Sequence, residues 1–446
     1  MTRMSPAIDH YLSEFARVER GLPGHDQRWL SNMRRDALDR LVEAGLPSAR
    51  QEDWKYTDVR PIAKRSFETR TEDDAVAAAT LGDHGLSDLP AHRLVFVSGR
   101  FSPGLSDMAA LPDGAVLKPL SQALAAPTEA LRSRLGTALD GQASGFSELN
   151  SAFMTDGVYL ELAPGVALDK PVYALFLGRA GEHPLMANLR HFVHLGENAQ
   201  ATLVEHYAGL DDGPYLSNTV TEIFAGRGAH LARCRLQMEA DRGYHVGSAH
   251  ALQQRDSRIA YHNVDFGARL ARTDTNSRLN AVGAEADIYG LYVPNGRRHI
   301  DNHTRIDHLH PHGRSRELYK GVLMEHGRGV FNGKIIVHRG AQKTDSEQSS
   351  AALLLSKNAE VDAKPELEIY ADDVKCAHGS TVGQLDEDAV FYLRSRGVGL
   401  DAARSLLTYS FADEVIQALE NRVLRRYVES GLLARLPNGE QIQELL

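Results

Sequence analysis

Apolar residues follow one period at the two ends of this chain and another through its long middle. In "DQRWLSNMRRDALDRLVEAGLP", Trp29, Met33, Ala37 and Leu41 recur every fourth residue and so fall on one stripe of a helix. Asp26 is placed to cap its start, and Gly45 followed by Pro47 to end it. "SPAIDHYLSEFARVERG" repeats the arrangement, with Ser5 as N-cap, Pro6 at the first helical position and Gly21 as the stop. The small, polar stretch "RTEDDAVAAATLGDHGLSDLP" then reads as a linker.

From Leu94 the period becomes two. "RLVFVSG", "GVYLELAPG", "PVYALFLG", "RHFVHLG" and "ATLVEHYAG" are short β-rich runs cut by Gly and Pro, and no helical pattern interrupts them as far as Leu385. That excludes a βαβ fold. "GENAQATLVEHY", "GRGAHLARCRLQ", "RDSRIAYHNVDF", "GAEADIYGLYV", "GRGVFNGKIIV" and "KNAEVDAKPELEI" each join a charged or Gly-bearing turn to an alternating strand. Most successive starts lie roughly 27 to 30 residues apart, with one longer gap, as in repeat architectures. A solenoid of stacked parallel strands fits best, because each coil buries its inward residues only against the next.

After Leu385 the helical period returns. Asp386 can cap "EDAVFYLRSRG", ended by Gly397, and Asp401 can cap "AARSLLTYSF". "ADEVIQALENRVLRRYVES" then carries Val415, Ile416, Leu419, Val423, Leu424 and Tyr427 on one stripe. The expected organisation is a helical region with linker over 1–92, a β core over 93–385 and a helical module over 386–446.

Composition narrows the function. Of 446 residues, 42% are apolar and 24% charged, ordinary for a globular protein with a large core. A formal charge of −9 lacks the basic field that nucleic-acid binding needs. The sequence shows no signal peptide and no run of apolar residues long enough for a membrane span, so a cytoplasmic protein is expected. Only two cysteines occur, Cys234 and Cys376. In a reducing compartment they stay unpaired, and two thiolates are too few for most iron–sulfur clusters.

Candidate chemistry is sparse. In "NHTRIDHLHPH", His308, His310 and His312 alternate with one another and follow His303. On a strand they would share a face and offer imidazoles to a metal, though Pro311 interrupts and no carboxylate matches the spacing. Gly333-Lys334 lacks the rest of a phosphate-binding loop: Arg328 stands where glycine is required and Ile335 where a hydroxyl is required, so the chain has no ATP site of this kind. Asp372-Asp373 and the Glu366/Glu368 pair are carboxylates of the sort glycosidases use, and equally plain surface charge. "KCAHG" remains. Cys376 and His378 sit two apart, so on a strand both point to one side and both reach one ion. Two donors make half a site, which a partner would complete; alternatively Cys376 is a packed small apolar group and His378 an ordinary polar residue.

Residues 300–400 resemble the SufB/SufD family of iron–sulfur cluster assembly proteins, through "HTRIDHLHPHGRSRELYKGVL", "GVFNGKIIVHRGAQKTDSEQSS" and "LLLSKNAEVDAKPELEIYADDVKCAHGSTVGQLDEDAVFYLRSRGV". "GLPSARQEDWKYTDV", residues 45–59, and "KCAHGSTVGQLD" are similar to the SufD branch, with Ala377 where serine is common. The resemblance implies a right-handed parallel β-helix between helical regions, and no enzymatic activity of the chain itself. It implies pairing with SufB through the β-helix, docking of the SufC ATPase on the C-terminal helices, and pairing with a second copy when isolated. It carries a ligand role for transient iron or an iron–sulfur cluster shared with SufB onto His378, and less securely onto Cys376. Tyr392, Arg394, Arg396, Tyr409 and Phe411 are the expected docking residues. The competing expectations are a stand-alone β-solenoid enzyme and a His-rich metal-dependent hydrolase built on "DHLHPH".

Overall fold

A computed structural model describes residues 6–70, 76, 82, 84–108, 110–439 and 442. The early strands are β1 (Glu68–Thr69), β2 (His92–Val97), β3 (Arg100–Phe101), β4 (Ala115–Pro119), β5 (Val158–Leu162), β6 (Val172–Gly178), β7 (Leu185–Leu195) and β8 (Gln200–Gly209). The middle of the body holds β9 (Tyr215–Ala225), β10 (His230–Met238), β11 (Tyr244–Gln253), β12 (Arg258–Asp265), β13 (Leu270–Leu279) and β14 (Glu285–Tyr292). It ends with β15 (His299–His308), β16 (Arg314–Leu323), β17 (Arg328–Val337), β18 (Asp345–Leu354), β19 (Glu360–Ile369) and β20 (Lys375–Gly383).

From β5 onward successive strands alternate between two sheets. Odd-numbered strands stack in the first, β5 to β19, and even-numbered strands in the second, β6 to β20. All these neighbours are parallel, and the result is a β-solenoid of about 8 turns. Gln200, His230, Arg258, Glu285, Arg314, Asp345 and Lys375 occupy one rung position in successive coils of the second sheet. The longer gap among the repeat starts has a simple origin. The first four lie before β8, β10, β12 and β14 in one sheet, the last two before β17 and β19 in the other, and the change of sheet adds half a coil.

The coil turns stack as regularly as the strands. Asn198, Gly228, Asp256, Gly283, His312 and Lys343 all adopt positive φ, and the N–H of each bonds the turn of the next coil, as Asn198 does to the Arg227 carbonyl. Glycine and short polar residues take this left-handed geometry most easily. Inward-facing side chains fill the solenoid, with Leu94, Phe96, Leu203, Ile223, Ile259, Ile288, Ile306 and Ile335 among them. Phe96, Phe176 and Tyr207 stack at 4.9 and 4.8 Å between ring centres.

Helices cover both outer faces. On the first sheet, Ile8, Tyr11, Phe15, Leu41 and Trp54 of the N-terminal region meet Met186, Leu216, Tyr244 and Leu270. On the second, Tyr409, Val415, Ile416, Leu424 and Val428 share an apolar cluster with Val264, Phe266, Leu291 and Val322. The "WKYT" segment fastens the N-terminal region: Trp54 lies 3.8 Å from the Arg272 guanidinium, and the Thr57 hydroxyl donates to Asp301 at 2.5 Å.

The structure departs from the sequence reading in local elements. Three helices, Leu120–Ala125, Glu129–Arg134 and Gly145–Phe153, fall where only strands were expected. They are too short to show a helical period and are held by packing, Leu120, Leu124 and Leu131 lying with Tyr159 and Phe192. Asp386 caps its helix by accepting from the Asp388 N–H, and Gly45 ends the Arg28–Ala44 helix at φ 70°. Asp26 does not cap that helix, whose N-cap is Gln27, and Asp401 lies inside the first turn of Leu400–Ile416 behind Gly399. That helix runs on past Phe411, and Asn421 caps the last one, Arg422–Leu433. Ser5 and much of the expected linker lie outside the described residues; within the linker, Leu86 and Leu89 are buried.

Candidate metal centre at the open end

Among the described residues nothing caps the last coil of the solenoid by pairing with its strands. β19 and β20 each have a sheet neighbour on one side only, and their other edges end the two stacks. Ile369, Tyr370 and Val382 stand 41%, 57% and 48% exposed on this rim, where a closed fold would cover them.

His378 and Cys376 lie on β20 in alternate positions facing the solenoid interior, next to Gln348 and Ser346 of β18. The strand geometry thus brings them onto one face, as their spacing predicts. His378 is exposed, and its imidazole makes no hydrogen bond within the described residues. Cys376 is half-buried against the interior core. Burial and the nearby Asp345 carboxylate push its thiol above the usual range, so it sits in its protonated form near neutrality. A metal bound there would have to displace that proton. Among the described residues no three His, Cys, Asp or Glu converge as a metal site. Cys376 and His378 alone therefore offer at most two coordination positions.

Behind His378 the same inward column continues to Gln348 and Glu317. The Gln348 amide donates to Glu317 at 2.6 Å, and burial pushes the Glu317 carboxyl up to about 7. Sequence reading missed these two residues. The near-thirty-residue steps from Glu317 to Gln348 and from Gln348 to His378 are the signal that could have found them.

The other candidates separate. His303 faces outward from β15, 3.0 Å from Asp301. His308 faces inward, hydrogen-bonds Ser315 at 2.9 Å and is held by burial at about 4. β15 ends there, so His310 and His312 lie in a coil turn and share no strand face with it. Glu366 and Glu368 pair with Lys364 and Lys334, each at 2.5 Å, and Asp373 pairs with Lys343. Gly333-Lys334 lies within β17 rather than in a loop. Cys234 is buried against the C-terminal helices, and both cysteines are free. Of the docking candidates, Tyr392, Arg394 and Arg396 are exposed, Phe411 is half-buried beneath the Lys320 ammonium, and Tyr409 is buried in the cluster beside the second sheet. Phe391, 71% exposed, was missed.

The fold is a two-sheeted β-solenoid with helical flanks and an open end that carries one imidazole and one thiol. Family models match along nearly the whole length: the SufBD protein N-terminal region over residues 6–173, and the SUF system FeS cluster assembly SufBD core domain over 176–411. The chain belongs to the SufBD family of iron–sulfur cluster assembly proteins. It is similar to the iron-sulfur cluster assembly protein SufD of Escherichia coli, 32% identical over 410 residues, covering 90% of this chain and 92% of that one. An iron-sulfur cluster assembly SufBD family protein of Synechocystis is 33% identical over 404 residues, 89% of each chain. Protein ABCI7, chloroplastic, of Arabidopsis thaliana is 29% identical over 405 residues, 89% of this chain and 84% of that one. No helix among the described residues is long and apolar enough to cross a membrane.

Proposed function

We propose that this chain is a non-enzymatic accessory subunit of a SufBCD-type complex, working in the cytoplasm. In this reading it pairs with a SufB-type chain through the open end of its solenoid. The carrying observation is that unfinished end: two unpartnered strand edges, the exposed Ile369, Tyr370 and Val382, and His378 beside them. A partner solenoid laid against these edges would continue both sheets and cover the apolar rim. His378, with a lesser role for Cys376, would then contribute to a shared site for iron or a nascent cluster, which is the complex's cargo. Neutral imidazole binds such iron directly.

The docking face for a SufC-type ATPase lies on the Glu387–Ser395 helix, where Phe391 and Tyr392 are exposed and Arg396 stacks on Tyr392 at 4.9 Å. Without its partner the same open end would pair with a second copy. The test is co-expression with SufB- and SufC-type chains. Tyr370→Lys with Val382→Lys is expected to abolish pairing with the SufB-type chain while leaving the SufC-type chain bound. Pairing that survives both lysines places the interface elsewhere.

A further inference from the structure

A cleft of about 820 Å³ lies between the first sheet and its N-terminal cover, reaching as far as Glu366 on the edge strand β19. Its roof is the end of the Arg28–Ala44 helix, the loop reaching Trp54 and the segment 141–148. Its floor is built from two neighbouring outward columns of the sheet. One runs His250, Asn276, Arg305, Lys334 and the other Ser248, Asp274, His303, Asn332, one residue per rung. Rungs about 4.8 Å apart make this a regular polar strip rather than an incidental dent.

Two buried groups in the floor have no partner. His250 is 2% exposed and its Nε2 bonds nothing; the Ser248 hydroxyl is likewise buried and unbonded. Asn276 Nδ2 lies 3.5 Å from His250 Nδ1 and donates to it, which leaves the ring proton on Nε2. Burial holds the imidazole down at about 3, so it is a neutral donor, not a cation. An unsatisfied buried donor of this kind costs stability unless a ligand or water takes it. Three carboxylates of the lining are already committed, Asp274 to Arg272 at 2.9 Å, Glu148 to Arg40 at 2.9 Å and Glu366 to Lys364 at 2.5 Å; Glu43 and Asp53 belong to the roof rather than to the floor columns. Arg305 uses only Nε and Nη2 on Asp307, and Lys334 has three N–H groups against the one close partner Glu368. The unspent capacity of the floor is therefore mainly for donating hydrogen bonds, with positive charge two and three rungs from His250.

We propose that this cleft binds a small extended organic anion, whose carboxylate or phosphate group lies at Arg305 and Lys334 and whose second oxygen acceptor takes the His250 Nε2–H and the Ser248 hydroxyl. Two rungs of separation set the distance between its ends at about 10 Å. The cleft has the size of ordinary small-molecule sites. This inference is independent of any role of His378.

The full chain, titrated calorimetrically at constant ionic strength with adipate, with a hexose 6-phosphate and with a triglutamate peptide, tests it. Saturable binding of adipate or of the sugar phosphate supports the proposal, and which one saturates identifies the acid group. Arg305→Gln and Ser248→Ala should each weaken that binding, the first by about tenfold or more, since a charge-assisted bond is lost. His250→Gln should weaken it too; if that variant does not fold, the other two carry the test. Binding of the peptide alone, no saturable heat with either small anion, or affinities unchanged in Arg305→Gln and Ser248→Ala would each overturn it.

Discussion

Replacing Glu317 with glutamine should stabilise this protein, but only at higher pH. The carboxyl group is buried inside the solenoid; one oxygen accepts from Gln348 at 2.6 Å and the other, Oε1, has no partner. Burial lifts its pKa from 4.5 to about 7, against the opposing effect of the Gln348 bond. Between those values the folded chain keeps a proton that the unfolded chain has released. The folded state binds more protons there, so this group's contribution to stability falls as pH rises through the window, and the full cost is present above about 7. The interval corresponds to roughly 3 kcal/mol. For a chain of this length unfolding as one unit that is about 3 °C in Tm. Glutamine has the shape of the protonated acid, keeps an oxygen for Gln348 and cannot ionise. Calorimetric Tm values of both proteins across the window should coincide near its lower end and diverge in favour of Glu317→Gln towards its upper end. A difference independent of pH, or one that widens as pH falls, would refute the assignment of a buried, neutral Glu317.

Arg190→Met should cost roughly 3–5 kcal/mol in denaturant unfolding, because Arg190 and Glu222 are both wholly buried at 2.6 Å and Glu222 would be left buried without its cation. Ile416→Ala should cost about 2–5 kcal/mol by the same assay and loosen the C-terminal helices to proteolysis, since Ile416 is 0% exposed in the cluster that joins them to the second sheet. Phe391→Ser with Tyr392→Ser should leave Tm unchanged, both side chains being exposed, and abolish capture of a SufC-type ATPase in pull-down; retained capture would move the docking face off this helix.

The alternating residues of β8 to β20 made the solenoid legible because inward and outward positions differ in chemistry at every coil. The coil length was less legible. The column Glu317, Gln348, His378 keeps nearly one coil between members, but its three residues are of different types, so it does not stand out in the unaligned chain. His312 misled for a local reason: it sits at positive φ in a turn position that Asn198, Gly228 and Asp256 occupy in other coils, which breaks the strand alternation its neighbours suggest. The helices at Leu120–Ala125 and Glu129–Arg134 were hidden because six residues hold less than two turns. Tyr409 looked like a docking residue from its type alone, and only the packing of its helix on the second sheet shows it to be buried. Cys376 and His378 were singled out because cysteine is so rare here, whereas the half-burial that raises the Cys376 thiol became visible only in the fold.

The central claim is that His378 is half of a shared iron site at the open end. It is tested most directly by purifying the complex with SufB- and SufC-type chains carrying His378→Ala and measuring bound iron and acid-labile sulfide after reconstitution. The account predicts an intact complex, because one exposed side chain adds little to a large interface, with cluster content falling sharply and Cys376→Ala having the smaller effect. An intact mutant complex that fills with cluster at the normal rate would contradict it.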